Sequence, residues 1–207
     1  MNVGYSRRTT PKVKNGKVQR KNKCEQSPNY YLKRRDSLLI ERRKPGKGFR
    51  HLLTRDDIEG FIELIPGWDE LSLGLNAVVL NEGSYRWLGY HVHGVVHISA
   101  WEEGLWQDFP RKFFEENFKL LERLKVPNQE LPDKQVRCFF NEENAKAFQL
   151  LDVFLHELGH HHDCITNKSK ICCPRGEPYA EQFALRYQPL VYAGYVKRFE
   201  PMFARGC

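Results

Sequence analysis

The stretch NEENAKAFQLLDVFLHELGHHHD, running from Asn141 to Asp163, decides how the chain is read. Asn141 is a helix-capping residue type. After it, Ala145, Phe148, Leu151, Phe154, Leu155 and Leu158 recur at the spacing of a buried helical stripe, which predicts one long helix through about Asp163. Near its end stands His156-Glu157-Leu158-Gly159-His160, an H-E-x-x-H motif. Residues four apart on a helix lie about 40° apart around the axis and one turn along it, so both imidazoles can converge on one ion. Two such nitrogens suit Zn2+, and Glu157, beside the first of them, is placed to hold a water and act as general base. Gly159 is a poor helix former in a helix otherwise built for burial, which points to another backbone approaching closely there. His161 and His162 point about 100° and 200° away from His160. They are expected outside the ligand set, as candidate cleft residues.

A third ligand has to come from elsewhere. No histidine follows His162, and the metzincin continuation is missing, since Asp163 and Thr166 stand at its glycine and histidine positions. What does follow is Gly176-Glu177-Pro178-Tyr179-Ala180-Glu181-Gln182-Phe183-Ala184. It reads as the start of a last helix that reaches roughly Phe199, with proline tolerated in the first turn. Glu177 and Glu181 share a face with Ala180 and Ala184, and small residues beside carboxylates let one helix close upon another. An ordinary acidic helix start, favoured by the macrodipole, would carry the same residues. Tyr179 joins the candidate cleft residues, and His93, His97 and Cys164 are the remaining candidates for a third ligand.

HELGH followed by an E-x-x-A-[DNE]-x-F-A helix resembles the gluzincin metallopeptidases, in particular the small soluble ImmA/IrrE-type proteins, over Val136 to Phe199. The resemblance implies an α+β fold in which a small antiparallel or mixed sheet packs against a zinc-binding helix and a following glutamate-bearing helix. It also implies Glu177 as the third metal ligand beside His156 and His160, with Glu181 supporting a ligand histidine. Pro178 directly follows Glu177, and Glu181 is longer than the Asp or Asn usual at its position, so the two roles are open to exchange. The implied activity is that of a zinc-dependent peptidase: hydrolysis of a peptide bond by metal-activated water, with Glu157 as general base. In such folds a strand lies above the active helix. Val95 to Ser99 is the candidate here, able to take a protein or peptide substrate by strand addition.

Upstream, Thr54 to Ile65 reads as a capped helix ended by Pro66-Gly67, Leu73 to Leu80 as a strand, and residues 81–84 as a turn. Tyr85 to Trp101 reads as a meander. Alternation places Tyr90, Val92, Val96 and Ile98 on one face of it and His91, His93 and His97 on the other. A helix over Phe109 to Lys125 and a short strand over Val136 to Phe140 complete the expected elements.

The 207 residues suit one domain and a tail, and no run approaches the roughly 20 apolar residues of a membrane-spanning helix. Residues 1–50 hold 16 Lys and Arg against 3 Asp and Glu, so this segment carries +13 and the rest −6. Residues 1–48 therefore read as a basic, disordered arm and residues 49–207 as the metallopeptidase-like domain. A second functional reading follows from the arm: a nucleic-acid-associated protein whose metal site is structural or vestigial. The arm lacks regularly interleaved aromatics, so it would meet phosphates, or an acidic partner, without reading bases. Six cysteines without an export signal or any C-x-x-C pair read as reduced thiols in a cytoplasmic protein. An irregular metal site of Cys164, Cys172 and Cys173 with His161 is the lesser alternative.

Overall fold

The computed structural model of the chain describes residues 13–14, 17–18, 30–31, 37–167 and 174–199. The strands are β1 (Val13–Lys14), β2 (Lys17–Val18), β3 (Leu39–Arg42), β4 (Phe49–Arg50), β5 (Ala77–Asn81), β6 (Gly89–Val92), β7 (Val95–Ser99), β8 (Trp101–Glu102), β9 (Trp106–Pro110), β10 (Asn128–Leu131) and β11 (Gln135–Phe139). The helices are α1 (Arg55–Ile62), α2 (Trp68–Leu71), α3 (Arg111–Arg123), α4 (Glu142–Phe148), α5 (Leu155–Thr166) and α6 (Gly176–Phe199). A π-helical segment, Gln149–Phe154, joins α4 to α5 without a break. The fold is α+β, with small sheets and several helices, and no described helix is long and apolar enough to cross a membrane.

The main sheet is mixed, in the order β3-β5-β7-β6. β3, β5 and β7 are mutually parallel, while β6 is antiparallel to β7 at the edge. Val78, Leu80, Val96 and Ile98 face the helices and join the large core with Leu151, Phe154 and Leu158. Ala77, Val79 and Val95 face the other way and are covered by Tyr30. Burial on both faces explains why β5 and β7 are nearly continuous apolar runs. A second sheet, β10-β11-β9, is antiparallel. In it Arg137 sits directly opposite Asp108 and donates to both carboxylate oxygens, at 2.7 and 2.8 Å.

Local signals place most elements. Thr54 caps α1 reciprocally with Asp57, and Asn141 caps α4 reciprocally with Asn144. Four expectations change. The expected arm boundary at residue 49 falls too late: β3 belongs to the main sheet, and Tyr30, 1% exposed, accepts at its carbonyl from the Asn76 amide at 3.0 Å. The short apolar run Leu38-Leu39-Ile40 was outweighed by the charge around it. The disorder expected of residues 1–29 and 32–36 lies outside the described residues, apart from the short β1–β2 pairing.

The strand expected from Leu73 begins only at Ala77, because Gly74 turns the chain with φ 77°. The face assignment of the meander is corrected by the turn at His93-Gly94, where both residues have positive φ. Pairing across that turn sets Tyr90 opposite His97 and His91 opposite Val96. His91 therefore shares the helix-facing side with Val96, and His97 shares the outer side with Tyr90. Finally, β7 is paired on both sides, so Val95–Ser99 cannot accept another strand, whereas β6 ends the sheet order.

Two tests follow. Tyr30→Ala is expected to cost about 3 kcal/mol in denaturant unfolding, as for other large core truncations; an unchanged midpoint would remove Tyr30 from the core. The hydrogen-bonded Arg137 guanidinium holds the Asp108 carboxyl below the usual carboxylate range. A depressed folded-state pKa contributes stability above the unfolded pKa of about 4 and loses it as pH falls through the folded value. The stability gap between the native chain and Asp108→Asn should thus be flat above about pH 5 and shrink in acid; a gap that widens in acid would contradict this.

Candidate metal centre

α5 and α6 cross at a point where α5 has no room for a side chain larger than that of glycine. A Cβ on Gly159 would lie 2.8 Å from Cα of Ala180 and 3.0 Å from Cβ of Phe183. The glycine expected to admit a neighbouring backbone does so, and the backbone it admits is that of α6. Contact this close brings the first turn of α6 over the two motif histidines. His156 and His160 stand one turn apart with ring centroids separated by 4.9 Å.

The Glu177 carboxylate lies between the two rings. Its oxygens are 3.1 Å from Nε2 of His156 and 3.4 Å from Nε2 of His160, and the donor atoms of all three residues fall within 4.8 Å of one another. Glu181, one turn on, instead faces the opposite nitrogen of His156, with Oε2 3.6 Å from Nδ1. Of the two arrangements left open for these glutamates, the geometry has Glu177 on the Nε2 side of both histidines and Glu181 behind His156. Two imidazole nitrogens and one carboxylate oxygen are donors that zinc takes in sites with an open fourth position, so these three residues could hold such an ion. Among the described residues no other group of three His, Cys, Asp or Glu donors comes together.

Burial dominates the electrostatics. Glu157 is 6% exposed and lies beneath the edge strand: a Cβ on Gly89 of β6 would come within 3.0 Å of Glu157 Cγ and 2.7 Å of a Val153 methyl. Burial pushes its carboxyl up to about 8, against the attraction of His156. Asp152, in the π segment one turn before His156, is likewise buried and pushed up to about 7. His156 rises to about 9, because the Glu181 carboxylate at its Nδ1 side and the other carboxyl groups around it outweigh its own burial. Asp152 Oδ1, Glu157 Oε2 and Glu181 Oε1 are buried without a hydrogen-bond partner. Unpaired buried carboxyl oxygens are costly. A cation among four carboxyl groups and two imidazoles would offset that cost, and in this respect the residues fit a bound metal.

Asp152 was missed in the sequence, although an aspartate inside the apolar run Gln149–Leu155 was a signal of it. The remaining candidates separate. His161 does not line a cleft: it is 1% exposed, with Nε2 3.1 Å from the Leu73 carbonyl and Nδ1 3.3 Å from Nε2 of His91. Burial pushes His161 down to about 4 and His91 down to about 3. His162 and Tyr179 pair with each other, Nδ1 to hydroxyl at 2.7 Å, with parallel rings. His97 lies on the outer face of the sheet, stacked on Tyr90 at 4.2 Å, and His93 sits in the β6–β7 turn. Neither joins the grouping. Cys164 is disulfide-bonded, which corrects the reading of uniformly reduced thiols; Cys138 is free and buried. Cys172 and Cys173 lie outside the described residues.

Comparison of the chain with protein-family models, curated proteins and solved structures finds no match. The most direct check of the site's geometry is Gly159→Ala. The added methyl must displace α6 and is expected to lower stability by about 1–3 kcal/mol, the range for overpacked cores, despite alanine's better helix propensity. Unfolding at or above the native midpoint would mean that the helices are not in tight contact.

Proposed function

We propose that this chain is a zinc-dependent peptidase in which His156, His160 and Glu177 hold the metal and Glu157 is the general base. The observation that carries the reading is the Glu177 carboxylate facing Nε2 of both H-E-x-x-H histidines, with Glu157 buried beside them under an unshared sheet edge. Bound zinc would supply Lewis acidity, polarising the peptide carbonyl and acidifying a water. The chain supplies the rest. Glu157 takes a proton from the attacking water on its carboxylate and passes it to the departing amine nitrogen, two transfers that need one carboxyl group in one place. The close fit of Gly89 over Glu157 restrains that group. Glu181, on Nδ1 of His156, fixes the ring so that Nε2 faces inward. Among the described residues β6 ends the main sheet, so its outer edge, rather than β7, is where an extended peptide would add.

A second reading keeps the charge segregation in view. The +13 of residues 1–50 would bind a polyanion with steep salt dependence whatever the site does. Glu157→Gln separates the two, since it is expected to abolish peptide hydrolysis while leaving zinc content and any salt-dependent nucleic-acid binding unchanged. Glu177→Gln should nearly abolish zinc retention, and Glu181→Gln should weaken affinity or activity by roughly 10- to 100-fold. Elemental analysis and chelator competition measure both. Wild-type zinc in Glu177→Gln, or no zinc in the native chain, would defeat the metal assignment.

A further inference from the structure

Glu177 presents a difficulty that its own surroundings do not solve. Its side chain is 80% exposed, so packing does little to hold the carboxylate between the two histidines. Its position must come from the backbone. On the C-terminal side that backbone is fixed by the Gly159–Ala180 contact, three residues away. On the N-terminal side the fixing group is Asp163, fully buried near the end of α5.

Asp163 Oδ2 accepts from the backbone N–H groups of Arg175, at 2.8 Å, and Gly176, at 3.1 Å, and Oδ1 accepts from Nε of Arg175 at 2.6 Å. The Arg175 guanidinium also donates to the Thr166 hydroxyl at 2.5 Å and lies 3.8 Å above the Tyr179 ring. Tyr179 in turn meets His162. Every partner is on the last turns of α5, on the first turn of α6 or, as Arg175, immediately before it, and Asp163 stands only three residues beyond His160.

We propose that Asp163, with Arg175, is a positioning pair that pins the start of α6 to the end of α5 and thereby holds the Glu177 carboxylate at the two histidines. The inference rests on the metal-centre reading above. Charge-assisted hydrogen bonds to a short buried carboxylate are stronger and more directional than neutral ones, which suits a joint that must fix one residue to a fraction of an ångström. Asp163 lies outside the ligand grouping and its charge is felt at His160, but its hydrogen bonds run to the start of α6, and through that backbone it acts on Glu177.

The test uses full-length Asp163→Asn and Arg175→Met, each alone and combined with Glu177→Gln. Zinc affinity is read by chelator competition, and amide hydrogen exchange at Gly176 and Glu177 is read in metal-free protein. Both single variants are expected to unfold cooperatively, to lose roughly 10- to 100-fold in zinc affinity, and to exchange the Gly176 amide faster before any metal is added. Because Asp163 acts through Glu177, adding Asp163→Asn to Glu177→Gln should cost almost nothing more. Zinc affinity within about threefold of the native chain in Asp163→Asn, with Glu177→Gln still losing the metal, would overturn the positioning role and leave the metal centre standing. So would full additivity of the two substitutions. A native chain that holds no zinc, despite a protected Gly176 amide, would overturn the metal reading, and the proposed role with it.

Discussion

The contact between Gly159 and Ala180 is the constraint on which the rest of the site depends. A glutamate side chain reaches only a few ångströms from its helix, so a carboxylate on α6 can sit between two imidazoles on α5 only if the helix backbones nearly touch. A Cβ at residue 159 would fall 2.8 Å from Ala180 Cα, inside the distance that two carbons tolerate. The propensity lost by placing glycine mid-helix, about 1 kcal/mol relative to alanine, is thus offset by closeness that no other residue allows. The neighbouring aromatics complete the contact: Phe183 packs on the His162 ring and stacks on Tyr187.

A tight crossing also encloses charge. Asp152, Glu157 and Glu181 each keep a buried carboxyl oxygen without a partner, all near His156. A core selected for stability alone would replace such groups with apolar ones of similar shape, because an unmade hydrogen bond to a buried carboxyl costs more than a made one returns. Their concentration around one histidine marks a place where stability has been given up. The two nearest sources of compensation within the chain are unequal. His156 is drawn to about 9 by these carboxyl groups, while His160, burdened by its own burial and by its proximity to His156, is pushed down. One imidazolium faces four carboxyl groups, of which burial holds Asp152 and Glu157 toward their neutral forms.

The elements with local signatures were legible in the sequence. Reciprocal caps at Thr54 and Asn141, the apolar periodicity before the motif, and proline in the first turn of the last helix each act within a few residues, so each could be read without the rest of the chain. That Glu177 and Glu181 share one face of the last helix also followed from spacing, whereas which of them meets the histidines was implied only by the resemblance to the gluzincins. What was not legible depended on partners distant in sequence. Leu39–Arg42 becomes a strand because β5 is there to pair with it. The meander faces were misassigned because a turn with two left-handed residues, not simple alternation, relates β6 to β7. Asp163 read as the missing glycine of another motif, whereas its role appears only when Arg175 and Gly176 return to it.

The same distinction explains why periodicity could locate the long helix but not its surroundings. From Ala147 to Leu155 every residue is buried, so this part of the helix has no solvent face and its rotation is not set by amphipathicity. It is set by the polar groups, each of which has to be met by a different element. Gln149 donates to the Ser99 carbonyl of β7 at 2.8 Å, His161 reaches the Leu73 carbonyl, Glu157 is capped by Gly89 of β6, and His156 meets Glu177 and Glu181 of α6. Four polar positions spread around one cylinder and met from separate directions restrict its rotation and its height, although Glu157 Oε2 and Gln149 Oε1 are left without a partner. The π segment lies within this run, where one extra residue per turn shifts the phase of everything after it. Capping anchors α4 through Asn141, and beyond the π segment His156 and His160 face Glu177 of α6. Chemistry at this site would therefore rest on a helix held by its polar residues, inside a core whose apolar residues would accept several rotations.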